Sequence, residues 1–586
     1  MYFYLGKKVF NIFTSMKRIS YKYLMKTERI AIISVLIFIL QFSFFSISSN
    51  AQILDIPRNS DSTFYRVDLA LNNPQKCFYL FLEWDTLTKL PDMSALYNLR
   101  SIAFRHCMSV NWNQAINKLS ALPKLEYFEI SLSALDKLPE DINLLDHLET
   151  LNLKTNALQI LPQGIGGCSN LKNIILPYNS SLRLEELIDR LIKVKSLEFL
   201  DLSGNQFRLL PENVGELIAL KKLDLGSNYF VQLPNSISSC VLMEEIDLSN
   251  NQALDFKQAC TALSKLSSLK KINISSCNIS EIPESIGAIL SLENIDASGN
   301  SFIKLPNSIG KLTNLKIFNI GSENRSLSGT AIEKFPASFA NLVNLQTLIL
   351  RGNFLSALPD LSKMKNLEEL DVNWCGLSEL PSYMKSLSNL EYLRAAHNYF
   401  LLLPEWIGDL QNLRVLELDG NFFPNKVVPH LIKLPESIGN LKNLEVLTLD
   451  DQIIKTLPKS ISKLTNLKAL HLRNNALTDL PDDFGNLFQL EILDLKANDL
   501  KVLPKSFEQL KNMQQLNLSF NPNIDVLQMM SSIQHLTQLK RLDISFINIS
   551  KTSLNELKMA LPNTTIFSKS NSDLNFQPDK PDENQK

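Results

Sequence analysis

Residues 148–162 read Leu148-Glu-Thr-Leu151-Asn-Leu153-Lys-Thr-Asn156-Ala-Leu158-Gln-Ile-Leu161-Pro162, and this stretch decides the fold of the 586-residue chain because it returns many times. The same spacing of Leu, Asn and Leu-Pro reappears over residues 197–211 and 467–481. Repetition at a fixed interval of about 20 to 50 residues is typical of a solenoid, in which each repeat packs on its neighbours. The sequence therefore predicts one continuous stack of repeats.

Counting each unit from its first Leu gives twenty units, most of them 23 residues long. In Leu-x-x-Leu-x-Leu the second and third Leu alternate as in a short strand, so their side chains share one face and the residues between them face the other way. Stacked units should form a parallel sheet with the Leu rows buried beneath it. The units begin at residues 77, 99, 125, 148, 171, 197, 220, 243, 269, 292, 315, 345, 367, 390, 413, 444, 467, 490, 513 and 539.

An Asn stands eight residues after the start of most units, where the chain turns out of its strand. A buried Asn can satisfy backbone groups of neighbouring units there, because its amide both donates and accepts hydrogen bonds. The twelve residues at this position, called the ladder Asn below, are Asn156, Asn179, Asn205, Asn228, Asn251, Asn300, Asn353, Asn398, Asn421, Asn475, Asn498 and Asn521.

These units resemble the leucine-rich-repeat family over about residues 74–567. Their tails, such as Leu305-Pro306-Asn-Ser-Ile-Gly-Lys-Leu312, are similar to bacterial repeats and to the plant intracellular Ras-group subgroup. The resemblance implies an α/β solenoid, a horseshoe with a parallel sheet on the concave face and 3₁₀ or short helices on the convex face. It implies little about function, because one fold hosts many functions.

All seven cysteines have structural explanations. Cys107, Cys277 and Cys375 stand at the ladder position, where the family tolerates Cys, and the other four fall in predicted core or helix positions: Cys77, Cys168, Cys240 and Cys260. No Cys-x-x-Cys or Cys/His spacing indicates a metal or redox site. Secreted eukaryotic members of the family resemble one another in carrying Cys-paired caps, and the lack of such caps here favours a bacterial origin.

Some units depart from the regular length. The units at 99, 171 and 243 last 26 residues and lack the Leu-Pro step, and amphipathic stretches at 185–192 and 256–263 predict outer helices there. Where Pro stands, extended or 3₁₀ segments are expected instead. The units at 315 and 413 carry insertions around 322–330 and 424–431, which should form loops at the edge of the solenoid. Such loops often lie on a binding face, although tolerated surface variation explains them equally well.

The two ends of the chain differ from the repeats. Residues 1–51 combine a basic segment, an apolar run and a small-residue exit, which predicts a signal peptide cleaved after Ala51. The alternative is a membrane anchor over residues 30–48, and Met25 is an alternative start. We expect an N-terminal cap over 52–76, the solenoid over 77–567, and a polar, disordered tail over 568–586.

Charge argues against nucleic acid as a partner. The formal net charge is −1, and removal of residues 1–51, with seven basic residues and one acidic residue, leaves −7. A chain with that balance offers no basic footprint for a phosphate backbone. In the units from 197 to 315 the exposed strand positions even form an acidic row that includes Asp201, Asp224, Asp247 and Asp296. This row could attract a cation or a basic ligand, or it is the ordinary solvated face of such repeats.

From unit 367 to unit 467 the same surface carries larger side chains. Trp, Tyr and Arg dominate the binding energy of protein interfaces, so this surface is the predicted recognition site. The alternative is that the rings only pack on one another. The two histidines lie three units apart, roughly 14 Å, which is too far for one metal ion. The six residues, called the aromatic patch below, are Trp374, Arg394, His397, Tyr399, Phe422 and His471.

No nucleophile with its base, phosphate loop or ligand cluster stands out in the sequence. We therefore expect a non-catalytic module without cofactor or metal, which is exported to the periplasm or cell exterior, or associated with the envelope, and binds a protein on its concave face. A membrane-anchored structural or adhesive surface protein is an alternative, with membrane contact only through the N-terminal segment. A module for a cell-surface glycan is another, because aromatic rings also stack on sugars.

Overall fold

One parallel sheet runs through the whole described part of the chain. The computed structural model describes residues 60–84, 87–322, 332, 334–420 and 430–569, and within them 22 strands form a single sheet. Neighbouring strands pair in chain order and in register, so that Leu200 lies beside Leu223 and Leu223 beside Ile246. The sheet does not close on itself, which confirms the predicted solenoid.

The strands are short, mostly three residues long. They are β1 (Thr63–Phe64), β2 (Tyr79–Glu83), β3 (Ser101–Arg105), β4 (Tyr127–Ser131), β5 (Thr150–Asn152), β6 (Asn173–Ile175), β7 (Phe199–Asp201), β8 (Lys222–Asp224), β9 (Glu245–Asp247), β10 (Lys271–Asn273), β11 (Asn294–Asp296), β12 (Ile317–Asn319), β13 (Thr347–Ile349), β14 (Glu369–Asp371), β15 (Tyr392–Arg394), β16 (Val415–Glu417), β17 (Val446–Thr448), β18 (Ala469–His471), β19 (Ile492–Asp494), β20 (Gln515–Asn517), β21 (Arg541–Asp543) and β22 (Thr565–Phe567). Strands β2 to β21 match the twenty predicted units one to one. Strand β1 lies in the segment expected to form the cap and extends the sheet by one strand.

The Leu rows build the core beneath the sheet. In the unit at 197, Leu197, Leu200 and Leu202 are all at most 1% exposed. Burial of one such side chain stabilises a fold by roughly 1.5–3 kcal/mol. A single unit leaves its Leu side chains open above and below, so this energy is gained only when the units stack.

Helices cover the opposite side of the core. The α-helices are α1 (Val67–Asn72), α2 (Trp112–Leu119), α3 (Leu184–Leu191), α4 (Phe256–Leu263), α5 (Val526–Ile533) and α6 (Lys551–Ala560). The 3₁₀ helices are Glu140–Leu144, Gln163–Gly167, Glu212–Glu216, Asn235–Ser239, Glu284–Ala288, Asn307–Lys311, Ala337–Asn341, Ser382–Ser386, Glu405–Asp409, Glu436–Asn440, Lys459–Lys463, Phe484–Asn486 and Lys505–Gln509. All but one of these 3₁₀ helices directly follow a Pro, as predicted.

Helix α5 was not predicted from the sequence, although the length of its unit indicates a helix there. Its unit, from 513 to 538, also lasts 26 residues and shares a short motif with two other helical units. Asp525 caps the helix by accepting from the Gln528 N–H at 3.0 Å, and the Gln528 amide bonds the backbone of Leu503 in the preceding unit. The same Asn/Asp-x-x-Gln motif begins α2 and α4. The Gln side chain thereby bonds both the N–H and the C=O group of one backbone residue in the preceding unit.

Several predicted segments lie outside the described residues. These are the N-terminal segment 1–51, the tail from 570 onwards, and nearly all of the insertions at 322–330 and 424–431. Among the residues that are described, no helix is both long enough and apolar enough to span a membrane.

Each ladder Asn in the described chain connects successive units. Asn228 accepts the backbone N–H groups of Asn205 and Phe207, both at 3.0 Å, and donates to the carbonyls of Leu202 and Leu225, also at 3.0 Å. Without Asn228 the two buried N–H groups would lose their partner, whereas each carbonyl also accepts from another ladder Asn, Leu202 from Asn205 and Leu225 from Asn251.

The remaining ladder positions follow the same scheme, except Asn421, which lies outside the described residues. Each donates to a carbonyl of the preceding unit: Asn156, Asn179, Asn205, Asn251, Asn300, Asn353, Asn398, Asn475, Asn498 and Asn521. The thiols of Cys107, Cys277 and Cys375 donate in the same direction. A second, exposed series was not predicted: the Asn just before many units, such as Asn314, donates to the unit before it.

The ladder gives a test of what holds the units together. We expect Asn228→Ala to lower the free energy of unfolding by about 3 kcal/mol, because two buried N–H groups lose their partner and two carbonyls lose one of their two donors. Asn228→Cys should cost less, since a thiol still donates to a carbonyl. Asn314→Ala, at an exposed position, should cost less than about 1 kcal/mol. Urea unfolding followed by circular dichroism measures all three variants; equal losses at 228 and 314 would contradict the role of the ladder.

Candidate functional site

Eleven of the 22 strands end in an Asp or Asn that closes the turn after the strand. The side-chain oxygen accepts the backbone N–H two residues later, as Asp201 does from Ser203 at 2.9 Å. Asp and Asn favour turns for this reason. These residues, called the strand-end row below, are Asn152, Asp201, Asp224, Asp247, Asn273, Asp296, Asn319, Asp371, Asp494, Asn517 and Asp543. The acidic row of the sequence belongs to it and therefore has a structural role.

The carboxylates of this row crowd one another. Burial, with repulsion from Asp201 and Asp247 on the flanking strands, raises the pKa of Asp224 to about 7. A Cβ atom on Gly226 would lie 3.2 Å from an oxygen of both Asp224 and Asp247, so these two carboxylates approach each other over that glycine. The acidic row thus lowers stability at neutral pH, even though its hydrogen bonds close the turns.

Between strands β5 and β21, the strand-end row is interrupted at β6 and β13, which end in Ile, and at the four consecutive strands β15 to β18. Strands β1 to β4 and β22 also end in residues other than Asp or Asn. Strands β15 to β18 end in Arg394, Glu417, Thr448 and His471 instead of Asp or Asn. Two members of the aromatic patch, Arg394 and His471, are themselves strand-end residues. Two more, His397 and Tyr399, follow strand β15, and Trp374 follows strand β14. Arg394, His397, Tyr399 and His471 therefore lie on or after strands that lack the turn-closing bond, whereas Trp374 follows strand β14, whose last residue Asp371 makes that bond.

Arg394 is largely occupied within the sheet. Its guanidinium forms ion pairs with Glu369 on β14 and Glu417 on β16, and only 13% of its side chain is exposed. Burial raises the pKa of Glu417 to about 7. Arg394 therefore positions two carboxylates, and we do not propose it as a partner contact, although the sequence placed it in the recognition site.

Trp374 and His397 stack on each other at the end of strands β14 and β15. Their ring centroids lie 4.0 Å apart with an interplanar angle of 28°. Both residues have φ near +59°, a conformation that costs an ordinary residue roughly 1–2 kcal/mol. The imidazole Nδ1 of His397 lies 2.9 Å from the carbonyl oxygen of Gly420. The stack therefore stands in a fixed position, and both side chains are partly exposed.

The other members of the patch surround this stack. Tyr399 is partly exposed, and its ring lies beside Gly376, where a Cβ atom would be 3.6 Å from it. His471 is more deeply set, and burial lowers its pKa. Asp419 lies close enough to His397 and His471 for both imidazoles to lower its pKa, although burial raises that pKa overall. Phe422 lies outside the described residues.

The edge beside the patch carries exposed aliphatic side chains that sequence reasoning missed. Leu401 and Leu402 are 52% and 50% exposed, and Ile432 and Ile453 in the next two units are 45% and 47% exposed. Ile432 donates its backbone N–H to the carbonyl of Leu401 at 3.3 Å, so the side chains are neighbours. The available signal was an apolar residue between the turn and the Leu-Pro step, where a polar one would suffice.

Two other stacked pairs lie on the turns of distant units. Trp84 stacks on His106 with centroids 3.6 Å apart, and Phe520 stacks on Phe546 at 4.2 Å. Both resemble the Trp374–His397 stack in geometry. The Phe520–Phe546 pair follows strands that keep the strand-end row, through Asn517 and Asp543, whereas the Trp84–His106 pair follows strands β2 and β3, which do not.

The described surface offers contacts but no evident reactive group. Within the described residues, no three His, Cys, Asp or Glu side chains are placed to hold a metal ion. A groove of about 300 Å³ on the opposite edge is lined by Arg414, Glu445 and Lys468, among others. Both cations pair with Glu445, at 2.7 and 2.6 Å, so the charges of that groove are largely satisfied internally.

Comparison with known proteins identifies leucine-rich repeats in this chain. A family model described as a leucine-rich repeat region matches residues 460–565, and a leucine rich repeat model matches 196–217 and 268–289. Receptor like protein 27 of Arabidopsis thaliana is 34% identical over 119 residues, which are 20% of this chain and 14% of that protein. Receptor like protein 22 of the same plant is 33% identical over 113 residues, 19% of this chain and 15% of that protein. The chain thus spans only about a seventh of these relatives.

Solved structures show the same fold. TLR13, in its complex with ssRNA13, has a TM-score of 0.62 at 21% identity, covering 84% of this chain and 75% of that chain. A TDR receptor has a TM-score of 0.50 at 23% identity, covering 78% and 86%. These likenesses support the solenoid architecture. The bacterial origin and the subgroup expected from the sequence stay predictions.

The crowding of the acidic row predicts how stability depends on pH. An unfolded Asp titrates near 4, so between about pH 4 and 7 the folded chain binds a proton at Asp224 that the unfolded chain releases. Stability must therefore fall as the pH rises through this interval. Asp224→Asn keeps an acceptor for the Gly226 N–H and removes the charge. We expect it to gain about 1–2 kcal/mol over the parent at pH 8 and nothing at pH 4.

Asp543→Asn is the matched control for this measurement. Asp543 makes the same turn-closing bond, to Ser545, but its neighbours on the flanking strands are Asn517 and Phe567 instead of two carboxylates. Urea unfolding at pH 4 and pH 8 compares the two variants. An equal gain at both positions, or a gain that does not depend on pH, would contradict repulsion within the row.

Proposed function

We propose that this leucine-rich-repeat chain is a non-catalytic binding module that recognises a protein partner through Trp374, His397, Tyr399 and His471 of the aromatic patch. The observation that carries the proposal is the coincidence of the patch with strands β15 to β18, whose last residues are released from closing the turn. In the rest of a regular repeat, the side chains at strand ends serve the fold. Strands β15 to β18 lack this role, and although Arg394 and Glu417 pair with each other there, the side chains beside them can be chosen for binding.

The composition of the patch supports a protein partner. Trp374 and Tyr399 are rigid, amphipathic side chains that bury much area at a small entropic cost. The aliphatic side chains of Leu401, Leu402 and Ile432 continue the surface over the edge of the sheet. An apolar centre with polar groups around it is the usual anatomy of a protein interface.

Export is the second part of the proposal. The pattern of residues 1–51 supports it, and so does the similarity to receptor-like plant proteins over a fifth of this chain. A cleaved signal leaves the repeats in the periplasm or outside the cell, whereas retention of residues 30–48 would make the same binding module a membrane-anchored surface protein.

The tagged full-length chain is first used to capture a partner, which is identified by mass spectrometry. The affinity of this partner for variants of the patch then tests the proposal. We expect the double variant Trp374→Ala, Tyr399→Ala to bind this partner at least about 30-fold more weakly in calorimetry, since two central aromatic contacts are lost. Trp84→Ala is the control, because Trp84 belongs to a similar stacked pair far from the patch, and it should bind like the parent. Unchanged affinity of the double variant would rule the patch out as the recognition site.

The location is tested by N-terminal sequencing of the chain recovered from its producing cells. A mature protein that begins at Gln52 and is found outside the cytoplasmic membrane agrees with export. A membrane-bound protein that still contains residues 30–48 would favour the anchored alternative instead.

A further inference from the structure

The aromatic patch lies on a surface with a strong excess of carboxylates. Seven acidic residues stand on or just beyond strands β14 to β19, namely Glu369, Asp371, Glu417, Asp419, Asp450, Asp451 and Asp494. Three basic residues stand in the same positions, Arg394, Arg473 and Lys496, and Arg351 lies just beyond the preceding strand, β13. The surface therefore keeps an excess of four negative charges when its histidines are neutral.

The local ion pairs do not remove this excess. Arg394 lies between Glu369 and Glu417, and Arg473 lies 3.4 Å from both Asp450 and Asp451. Each arginine thus serves two carboxylates. Asp419 receives only neutral donors in the structure, the Thr448 hydroxyl at 2.9 Å and the Asp450 N–H at 2.8 Å.

Repulsion among these groups shows in their titration. Burial, followed by the charge of Asp419, raises the pKa of Asp450 to about 7. Burial raises the pKa of Asp371 to about 6. A cation brought to this surface would relieve the repulsion that now favours protonated carboxyls.

The stacked rings add a preference for a cation of a particular kind. The face of a Trp ring attracts an ammonium or guanidinium group within about 6 Å of its centroid. The Trp374–His397 stack stands at the border of the acidic region, because Asp419 is near His397. Alkyl stems of Lys or Arg could lie on the exposed Leu401 and Leu402 while their heads reach the carboxylates.

The dimensions suit a short extended peptide. Strands β14 to β18 span roughly 19 Å at about 4.8 Å per strand. An extended chain of about six residues covers that distance at about 3.3 Å per residue. Alternate side chains of such a peptide would face the sheet together.

We propose that the aromatic patch binds an extended basic segment of the partner, about six residues long, with Lys or Arg side chains on the carboxylates around Asp419 and one of them against the Trp374–His397 stack. This inference rests on the proposed function and specifies the chemistry of the partner. The patch supplies the apolar contacts, and charge complementarity selects the occupant.

The probe is a fluorescent peptide of alternating Arg and Ala residues, nine residues long, titrated with the full-length chain and followed by anisotropy. A peptide with Glu in place of Arg is the matched ligand control. We expect the Arg peptide to bind at least about tenfold more tightly than the Glu peptide, and to weaken as salt is raised. Equal binding of the two peptides, or no binding of the Arg peptide, would overturn the proposal.

Two double variants, each of which removes two negative charges, locate the site. Asp419→Asn with Asp451→Asn should weaken the Arg peptide about tenfold, whereas Asp247→Asn with Asp296→Asn, in the acidic row, should leave it within about twofold. Circular dichroism confirms that both pairs fold, and Asp450→Asn serves in place of the first pair if that pair does not. Equal losses from both pairs would mean diffuse attraction to an acidic protein and would overturn the assignment.

Binding measurements with the captured partner distinguish failure of the basic-segment proposal from failure of the proposed function. If Trp374→Ala with Tyr399→Ala weakens the partner but Asp419→Asn with Asp451→Asn does not, the patch is the binding site and the basic segment is wrong. If neither pair affects the partner, the patch itself is wrong. Loss with both pairs supports both proposals.

Discussion

The structure depends on satisfying the backbone polar groups at the point where each strand turns away from the sheet. Parallel strands satisfy their own N–H and C=O groups through their neighbours, and part of the turn does the same, as the Gly204 N–H does with the Gly226 carbonyl. Other buried N–H groups of the turn, such as those of Asn205 and Phe207, bond the side-chain oxygen of a ladder Asn instead. An orphaned group there would cost about 1–3 kcal/mol, and the cost would recur in every unit. Ladder Asn such as Asn228 meet this demand with both ends of one amide. The spacing of the repeat is set by this requirement as much as by the Leu core.

The same constraint explains why the exposed surface is so uniform over much of its length. A residue such as Asp201 must accept the N–H of Ser203, so its identity is chosen for the turn and not for a ligand. The acidic character of the row follows from that local choice, and the repulsion around Asp224 is its consequence. Surface chemistry carries information about binding only where the turn can dispense with this bond. Strands β15 to β18 are such a place, and the larger side chains gather there.

The sequence predicted the architecture well because the fold is encoded locally and repeated. Every unit shows the Leu spacing, so twenty strands could be placed, and the amphipathic stretch at 256–263 was recognised as a helix. Helix α5 was not predicted, although its unit has the same length of 26 residues as the other helical units. The candidate site was harder to predict from the sequence, because the partners of a side chain lie in the neighbouring units, 23 or more residues away along the chain. Arg394 looked like an interface residue, yet its two carboxylates stand on the flanking strands.

The negative charge of the acidic surface lowers the stability of the free chain, but it attracts a positively charged partner. Carboxylates close together on a half-buried sheet face repel one another, and burial together with the charge of Asp419 raises the pKa of Asp450 to about 7. A fold selected for stability alone would place neutral Asn at more of these positions, as it does at Asn273 and Asn517. Like charges near an interface become favourable once a cation of the partner lies among them. If a basic segment binds here as proposed, Asp419, Asp450 and Asp451 beside a fixed pair of aromatic rings are preorganised for it, and the stability lost in the free chain is regained on binding.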